Sequence, residues 1–306
     1  MSELTRAKLL DKIINLKLFV VGQSADSLIS SGETVTLGNG QIANLSAYIQ
    51  CPKIGRKPTI SIKGKILPSP ILSGVEIRVT NLFTGQTPLD AYKYIRAECG
   101  YSGMLGAPIE GEIANAYQET PGPDGVTVFV MLLGYFTNWN NVFKVQYWPE
   151  GTARKTILDW CATELGMTLQ YVGSGGKETT DTSYQFSGKV SDFVAQLASS
   201  WNVNIYPDGQ ILKVYPKDSS TGLQYIVEFV TIPPRHEAYG YNLTAPWLPS
   251  IRPGDEMVIS TKYVRQTYGG ANAASSTTIF IANTISFDFS TTEEQNTMTV
   301  LAVAAQ

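Results

Sequence analysis

Residues 74–80 read GVEIRVT, a run in which polar and apolar side chains alternate. A strand points successive side chains to opposite faces, so this alternation predicts a strand with one buried face. Further strand-like runs flank it at residues 47–51, 59–67, 109–118 and 126–135. Strands this short and evenly spaced are typical of a barrel or a sandwich. Residues 45–140 are therefore predicted to form a β domain.

The pattern changes to a helical period after residue 140. Residues 153–165 and 190–201 each place apolar side chains on one helical stripe and lead into a strand. Thr152 is the expected cap of the first helix, and Gly166 is its expected stop. A shift of 36 residues aligns the two helix–strand units, although any two amphipathic units could match by chance. The aligned apolar positions are Ile157, Leu158, Cys161, Ala162, Leu165, Met167 and Leu169 in the first unit and Phe193, Val194, Leu197, Ala198, Trp201, Val203 and Ile205 in the second.

Strand-like runs return in the last third of the chain, at residues 225–231, 256–263, 277–281, 284–290 and 297–303. The predicted fold class is therefore α+β, mostly β. We expect four parts: an N-terminal arm (1–44), a first β domain (45–140), a small α+β module (141–222) and a second β domain (223–306). Within the arm, residues 4–16 could share a helical face, 16–21 predict a strand, and 22–40 predict a loop.

The composition excludes several classes of function. Only 16% of the 306 residues are charged and the net charge is −3, so binding of nucleic acid through its phosphates is not expected. No apolar run reaches the roughly 20 residues that span a bilayer, and we expect no membrane insertion. The three cysteines are far apart, which favours a reducing cytosol and predicts neither a disulfide framework nor a metal site. So few charges suit a surface that packs against other subunits.

Residues able to carry out catalysis are scarce. The single histidine, His236, follows two prolines, and its neighbour Glu237 need not reach it. The carboxylate pairs Asp255-Glu256 and Glu293-Glu294 are interpreted as solvated. The glycine clusters at residues 173–176 and 100–106 lead into no helix that could bind a phosphate. We therefore predict no enzyme activity, no catalytic, cofactor-binding or metal-binding residues, and no cofactor.

Aromatic residues lie close together where the first β domain meets the module. Trp139, Tyr147 and Trp148 could form a platform on which a sugar stacks. The interpretation that we favour places them in a hydrophobic hinge between two domains.

Three stretches resemble the tail hub family of phage baseplates and related contractile injection machines. The first is ISIKG at 60–64, followed by VEIRVTNL at 75–82. The second is AECGY at 97–101 with IEGEI at 109–113, which is similar to a strand pair of the hubs, with Ile109 replacing their usual Phe. The third joins Asn242-Leu243 to IRPGD at 251–255, where Pro-Gly-Asp turns into a strand. The resemblance of the second stretch predicts that residues 92–101 are mainly a strand.

The resemblance implies a mechanical function. In this family, two β-barrels like the tail-tube subunit stand side by side in one chain, and a small α/β part lies outside them. Three chains form a pseudo-six-fold ring that joins the six-fold tail tube to the three-fold central spike. The implied partners are two copies of the chain itself, the tail tube protein, a separate central spike protein, the tape-measure protein and the baseplate wedge proteins. The implied location is the virion tail, assembled in the cytoplasm of a host bacterium.

Other functions stay open at this point. A carbohydrate-binding or receptor-binding tail module would use the Trp and Tyr residues, and a peptidoglycan-cleaving tail enzyme would depend on His236. A distal tail protein of a flexible-tailed phage would share the barrel, although the helical middle argues against it.

Overall fold

The fold is described from a computed structural model of the chain, which defines residues 12–21, 33–50, 58–82, 88–101, 103–119, 125–173, 176–217, 219–227, 235–236, 240–259, 278–292 and 296–304. The helices in these ranges are α1 Phe136–Asn141, α2 Arg154–Glu164 and α3 Val190–Ser200, with a 3-10 turn at Leu89–Ala91. The strands are β1 Lys12–Val21, β2 Thr34–Thr36, β3 Ile42–Gln50, β4 Ile60–Ile66, β5 Gly74–Thr80, β6 Tyr92–Tyr101, β7 Met104–Leu105, β8 Ile109–Gln118, β9 Val126–Leu133, β10 Phe143–Trp148, β11 Thr168–Tyr171, β12 Tyr184–Lys189, β13 Val203–Asp208, β14 Ile211–Pro216, β15 Gln224–Val227, β16 Arg235–His236, β17 Gly240–Pro246, β18 Glu256–Ile259, β19 Thr278–Ser290 and β20 Thr297–Ala304.

The α+β, mostly β class is confirmed, because strands hold 57% of the described residues. One 15-stranded sheet contains both β regions, in the order β16-β17-β20-β19-β4-β5-β9-β8-β6-β1-β3-β2. Three further strands join it at its side, since β18 pairs with β15 and β19, and β7 pairs with β6. This order runs from one end of the sheet to the other among the described strands, so closure of either half into a barrel stays a prediction.

The two β regions are joined directly by the antiparallel pair β4–β19. Its register runs from Ile66 opposite Ile285 to Ser61 opposite Ser290. At Gly64 a side chain would not fit, because a Cβ there would lie 2.9 Å from the ring of Phe287. One apolar core, which we call the sheet core, contains buried residues of both regions. The two β regions therefore share a sheet and a core rather than forming two separate cores.

Strand β1 belongs to the large sheet, although its residues are predicted from the sequence to lie in an N-terminal arm. It lies inside the sheet, antiparallel to β3 on one side and to β6 on the other. Ile14, Leu16 and Leu18 alternate along it and are fully buried, so the period of two decides the structure here. An arm spanning residues 1–44 is therefore wrong for residues 12–21, and so is the helical face where it covers 12–16. Residues 4–11 of that predicted face lie outside the described residues.

Two strands predicted at 277–281 and 284–290 are one long strand, β19. Its register with β20 shifts between Ala282 and Thr284, which is the mark of a β-bulge. Because the bulge interrupts the alternation of side chains along the strand, the sequence pattern predicted two strands instead of one. The strand predicted at 92–101 is confirmed as β6.

The module contains the predicted pair of helix–strand units. Helix α3 begins and ends 36 residues after α2. The residue after each helix cap has a left-handed backbone, Gly166 with φ 73° and Asn202 with φ 54°, and these also lie 36 positions apart. Of the aligned apolar positions, all are buried except Leu169, which is half-buried. The repeat seen in the sequence is thus a repeat of structure.

The strands of the two units lie on either side of β14. β11 runs parallel to β14 and β13 runs antiparallel to it, so the two units point in opposite directions. A second apolar core, the module core, packs α2 and α3 against this small sheet and against residues of the large sheet, such as Phe19 of β1 and Tyr94 of β6. A separate two-stranded sheet pairs β10 with β12. None of the described helices is long and apolar enough to cross a membrane.

Candidate functional site

A buried arginine lies where the two β regions and the module meet. Arg252, in the segment between β17 and β18, is only 4% exposed. Its Nε donates to both carboxylate oxygens of Asp208 at 3.0 and 2.9 Å. Its Nη2 donates to the carbonyl of Pro108 at 3.1 Å, and its Nη1 to the carbonyl of Ile251 at 3.2 Å. Arg252 therefore binds the module, the first β region and its own loop at once.

Asp208, at the end of β13, is held in its charged form. The Nζ of Lys213 lies 2.7 Å from its Oδ2, in addition to the contacts with Arg252. Burial of Asp208 opposes its ionisation, but the two cations outweigh burial and hold the pKa of this carboxyl below its ordinary value. For Arg252, burial acts to lower the pKa, but the charge of Asp208 raises it on balance. Buried charges of this kind are stable only while each keeps its partner.

Asp255 anchors the turn that precedes β18. The backbone N–H of Arg252 donates to its Oδ2 at 2.8 Å, and the hydroxyl of Thr221 donates to its Oδ1 at 2.5 Å. Burial raises the pKa of Asp255, although these hydrogen bonds oppose the rise. Asp255 is 2% exposed, so the expectation that it is solvated was wrong. Its neighbour Glu256 is half-buried and accepts instead from Gln224 at 2.6 Å.

Glycine is required beside Asp255. Gly254 has a φ of 92°, and a Cβ there would lie 2.8 Å from the ring of Tyr215. The hydroxyl of Tyr206 donates to the carbonyl of Pro253 at 3.1 Å, so the aromatic residues of the module hold both sides of the turn. The Pro-Gly-Asp turn into β18 is confirmed, and these contacts give it a physical cause.

The first β region reaches the same loop through a close backbone contact. A Cβ on Gly106 would lie 2.4 Å from Pro249, and the N–H of Ala107 donates to the hydroxyl of Ser250 at 3.0 Å. We call Arg252, Asp208, Lys213, Asp255 and these contacts the junction. Its polar groups bind one another and backbone carbonyls. The junction therefore holds three parts of one chain together.

Solved structures share the fold that contains this junction. No protein-family model matches the sequence, and no curated protein matches it. The 43 kDa tail protein of prophage MuSo2 from Shewanella oneidensis superposes with a TM-score of 0.55 over 95% of this chain and 96% of its own, at 9% identity. The E. coli c3393 protein, a type VI secretion component described as similar to the T4 bacteriophage tail proteins gp27 and gp5, gives a TM-score of 0.57 at 9% identity. That match covers 81% of this chain and 74% of the E. coli protein.

The chain has a tail-protein fold. Both β regions and the module are included in the first match, since it covers nearly the whole of both chains. At 9% identity the likeness is one of fold, and it agrees with the α+β, mostly β class, while the two closed barrels that the resemblance implies stay a prediction.

Among the described residues, the structure does not bring His236 together with any of the carboxylates that the sequence offers for catalysis. His236 lies in β16 opposite Gly240, while Glu237, Glu293 and Glu294 lie outside the described residues. Gly100 lies within β6, and Gly103, with a φ of 78°, is in the turn to β7. Within the described ranges no group of three or more His, Cys, Asp or Glu could hold a metal ion.

The aromatic platform is not present in this tail-protein fold. Trp139 and Trp148 are each 6% exposed, and both belong to the module core. The ring of Trp148 stacks on Phe193 with 5.4 Å between centroids. Tyr147 alone is exposed, so three aromatic faces are not offered to a sugar. The two tryptophans agree better with the other interpretation, in which they belong to a hydrophobic contact between domains.

The junction was missed by sequence reasoning. Arg252 lies 44 residues from Asp208 and 144 residues from Pro108, so no local pattern links them. A signal did exist: Arg252 is a lone cation between Ile251 and Pro253, in a chain with few charges. An arginine in an apolar loop needs a partner, because long charged side chains are almost never fully buried unless paired.

Proposed function

We propose that the chain is the structural hub of a phage tail baseplate. In this proposal three copies form a pseudo-six-fold ring, which adapts the six-fold tail tube to the three-fold central spike and lets DNA pass. The observation that supports it most is the match over 95% of this chain and 96% of a phage tail protein. Two β regions per chain, taken three times, would give the six units that meet a six-fold tube.

The sheet offers edges through which such a ring could close. β2 lies at one end of the described sheet order and β16 at the other. A strand at a sheet end has backbone groups that can pair with another chain. A contact between unlike ends of successive copies is heterologous, and such contacts form closed rings when the rotation allows. The shared sheet and the junction would keep the two β regions of one copy in a fixed relation.

The charge distribution supports passage of DNA without specific binding. Several cations are already paired with carboxylates: Arg96 with Glu110 at 2.6 Å, Arg78 with Glu119 at 2.9 Å, and Lys17 with Glu33 at 3.1 Å. With a net charge of −3, the protein would repel phosphates rather than hold them.

The rest of the proposal concerns partners and location. The hub would not be an enzyme, since the junction uses its charged groups internally. Its partners would be two further copies, the tail tube, central spike, tape-measure and wedge proteins, in the virion tail after assembly in the bacterial cytoplasm. Residues 223–306 and 45–140 would be the two tube-like domains, with 141–222 outside the ring.

The test is the symmetry of the oligomer. We expect light scattering of the purified chain with its spike protein to give a mass of three copies per spike. Imaging of tail particles should show the chain at the tube–spike boundary. A chain that stays monomeric and is absent from tail particles would contradict the proposal.

A further inference from the structure

The strand β10 exposes a row of apolar side chains on the surface of the module. Phe143, Val145 and Tyr147 are 66%, 73% and 58% exposed. They alternate with Lys144 and Gln146 and so lie on one face of the two-stranded sheet. The opposite face is buried at Trp148. Single exposed apolar residues are ordinary, but three large ones in a row on one strand mark an interaction site.

The backbone of the same three residues is directed away from β12. The N–H of Val190 donates to the carbonyl of Val142, so residues 142 and 190 form a hydrogen-bonded pair. In an antiparallel pair, bonded and non-bonded pairs alternate. The register Val145 opposite Ser187 is therefore a non-bonded pair, as are those of Phe143 and Tyr147. Their N–H and C=O groups point to the other edge of β10, which no described strand occupies.

One further contact agrees with this assignment. The carbonyl of Tyr147 accepts a hydrogen bond at 3.3 Å from the side chain of Gln146, the residue next to it, and not from β12. An exposed side chain thus occupies a position that an added strand would take.

The edge of β10 lacks two of the devices that usually protect a strand edge, a proline and a bulge, and its one lysine is paired. Such devices are a proline, a bulge or an exposed charge. The register of β10 with β12 is regular, and the strand contains no proline. The charge of Lys144 is paired with Glu164 at 2.7 Å, and Lys189 across the sheet donates to Asn140 at 3.2 Å. The charge of Lys144 is thus held by Glu164, on the face opposite the apolar row, and the edge is regular and apolar along that row.

We infer that the free edge of β10 binds an extended, uncharged segment of a different protein of the same tail, with apolar side chains at alternate positions. Strand addition of this kind uses the backbone for affinity and alternate side chains for specificity. The inference rests on the proposed function. In the proposed ring, copies of this chain meet through the ends of the large sheet, whereas β10 belongs to a separate sheet, so we assign its edge to a different protein.

The experiment uses tail particles assembled with a photo-crosslinking phenylalanine analogue in place of Tyr147. Mass spectrometry first establishes that the chain is in the particles, and then identifies the crosslinked product. We expect one product with a non-identical tail protein, at an extended segment of the stated pattern.

A matched pair of proline variants tests whether the backbone carries the contact. Val145→Pro removes an N–H at the edge of β10, and Ser187→Pro removes the equivalent N–H at the far edge of β12. Neither N–H belongs to the β10–β12 ladder, so both variants should fold. We expect Val145→Pro to lower the crosslink yield by about tenfold, because it loses a hydrogen bond and adds a ring at the edge. Ser187→Pro should leave the yield unchanged.

A second variant avoids any change in the backbone. Val145→Lys adds a charge to the apolar row and should also reduce the yield. The inference is overturned by a crosslink to a second copy, by particles that contain the chain but give no crosslink, or by equal yields from the two proline variants. Particles without the chain would overturn the hub proposal and this inference together.

Discussion

The two helix–strand units of the module have the same local structure and different attachments. α2–β11 and α3–β13 repeat every 36 residues, with matching buried positions. The second unit ends in Asp208, which binds the buried guanidinium of Arg252. The position 36 residues earlier is Val172, which is 44% exposed. One unit thus attaches to the β regions through buried charge.

The first unit attaches through close backbone packing. A Cβ on Gly166 would lie 2.8 Å from the Cα of Gly38, in the loop between β2 and β3. The side chain of Asn138 also donates to the carbonyl of Leu165 at 3.1 Å. The repeat therefore fixes the fold of each unit, while residues at the ends of the helix and strand decide what each unit contacts.

The largest effect should come from removing the charge at the end of the second unit. Asp208→Ala leaves Arg252 and Lys213 without their carboxylate, and we expect a loss of about 3–5 kcal/mol in the free energy of unfolding. Val172→Ala, at the equivalent position of the first unit, should change it by less than about 0.5 kcal/mol. Denaturant unfolding of the purified variants measures both. Similar losses from the two substitutions would show that buried charge is not what attaches the second unit.

A smaller effect is expected at the left-handed residue after each helix. Gly166→Ala places a Cβ at positive φ and against Gly38, so we expect a loss of about 2–3 kcal/mol. Asn202→Gly keeps a residue that tolerates this backbone, and its effect should stay within about 0.5 kcal/mol. The same unfolding experiment applies, with thermal melting as a check. If Gly166→Ala proved harmless, close packing would not be what attaches the first unit.

Acid should weaken the second unit selectively. The pKa of Asp208 is lowered in the folded state, so its contribution is complete above the ordinary aspartate value of about 4 and declines as the pH falls through the lowered value. Asp255, whose pKa is raised, has the opposite sign. The difference in unfolding free energy between the native chain and Asp208→Asn isolates the first group. We expect that difference to shrink below about pH 4, and a constant difference would contradict the assignment.

Local patterns predicted both helices of the repeat, because a helical stripe is visible within 11 residues. They did not predict α1, a six-residue helix that is too short to show a period. The pairing of β4 with β19 was out of reach for another reason. Ser61 and Ser290 are far apart in sequence, and nothing in either strand specifies its neighbour. The burial of Arg252 could not be predicted for the same reason, since its environment is built from three distant segments.

The smallest effect concerns the start of the first unit. The sequence predicted Thr152 as the helix cap, but the N-cap residue is Ala153, which makes no side-chain hydrogen bond to the helix. The hydroxyl of Thr152 donates instead to the carbonyl of Pro149 at 2.6 Å. Thr152→Ala should therefore cost less than about 0.5 kcal/mol rather than the 1 kcal/mol typical of a lost cap.

The matched substitution at this site is Ala153→Asp, which supplies the missing acceptor to the first N–H groups of α2. We expect it to stabilise the chain by about 1 kcal/mol, measured by the same unfolding experiment. The second unit also begins without a side-chain cap, at Lys189. Both units thus begin uncapped, so the stability of α2 and α3 comes from their buried faces, since packing contributes more to short helices than propensity does. A loss from Thr152→Ala as large as the gain from Ala153→Asp would show that Thr152 caps the helix after all.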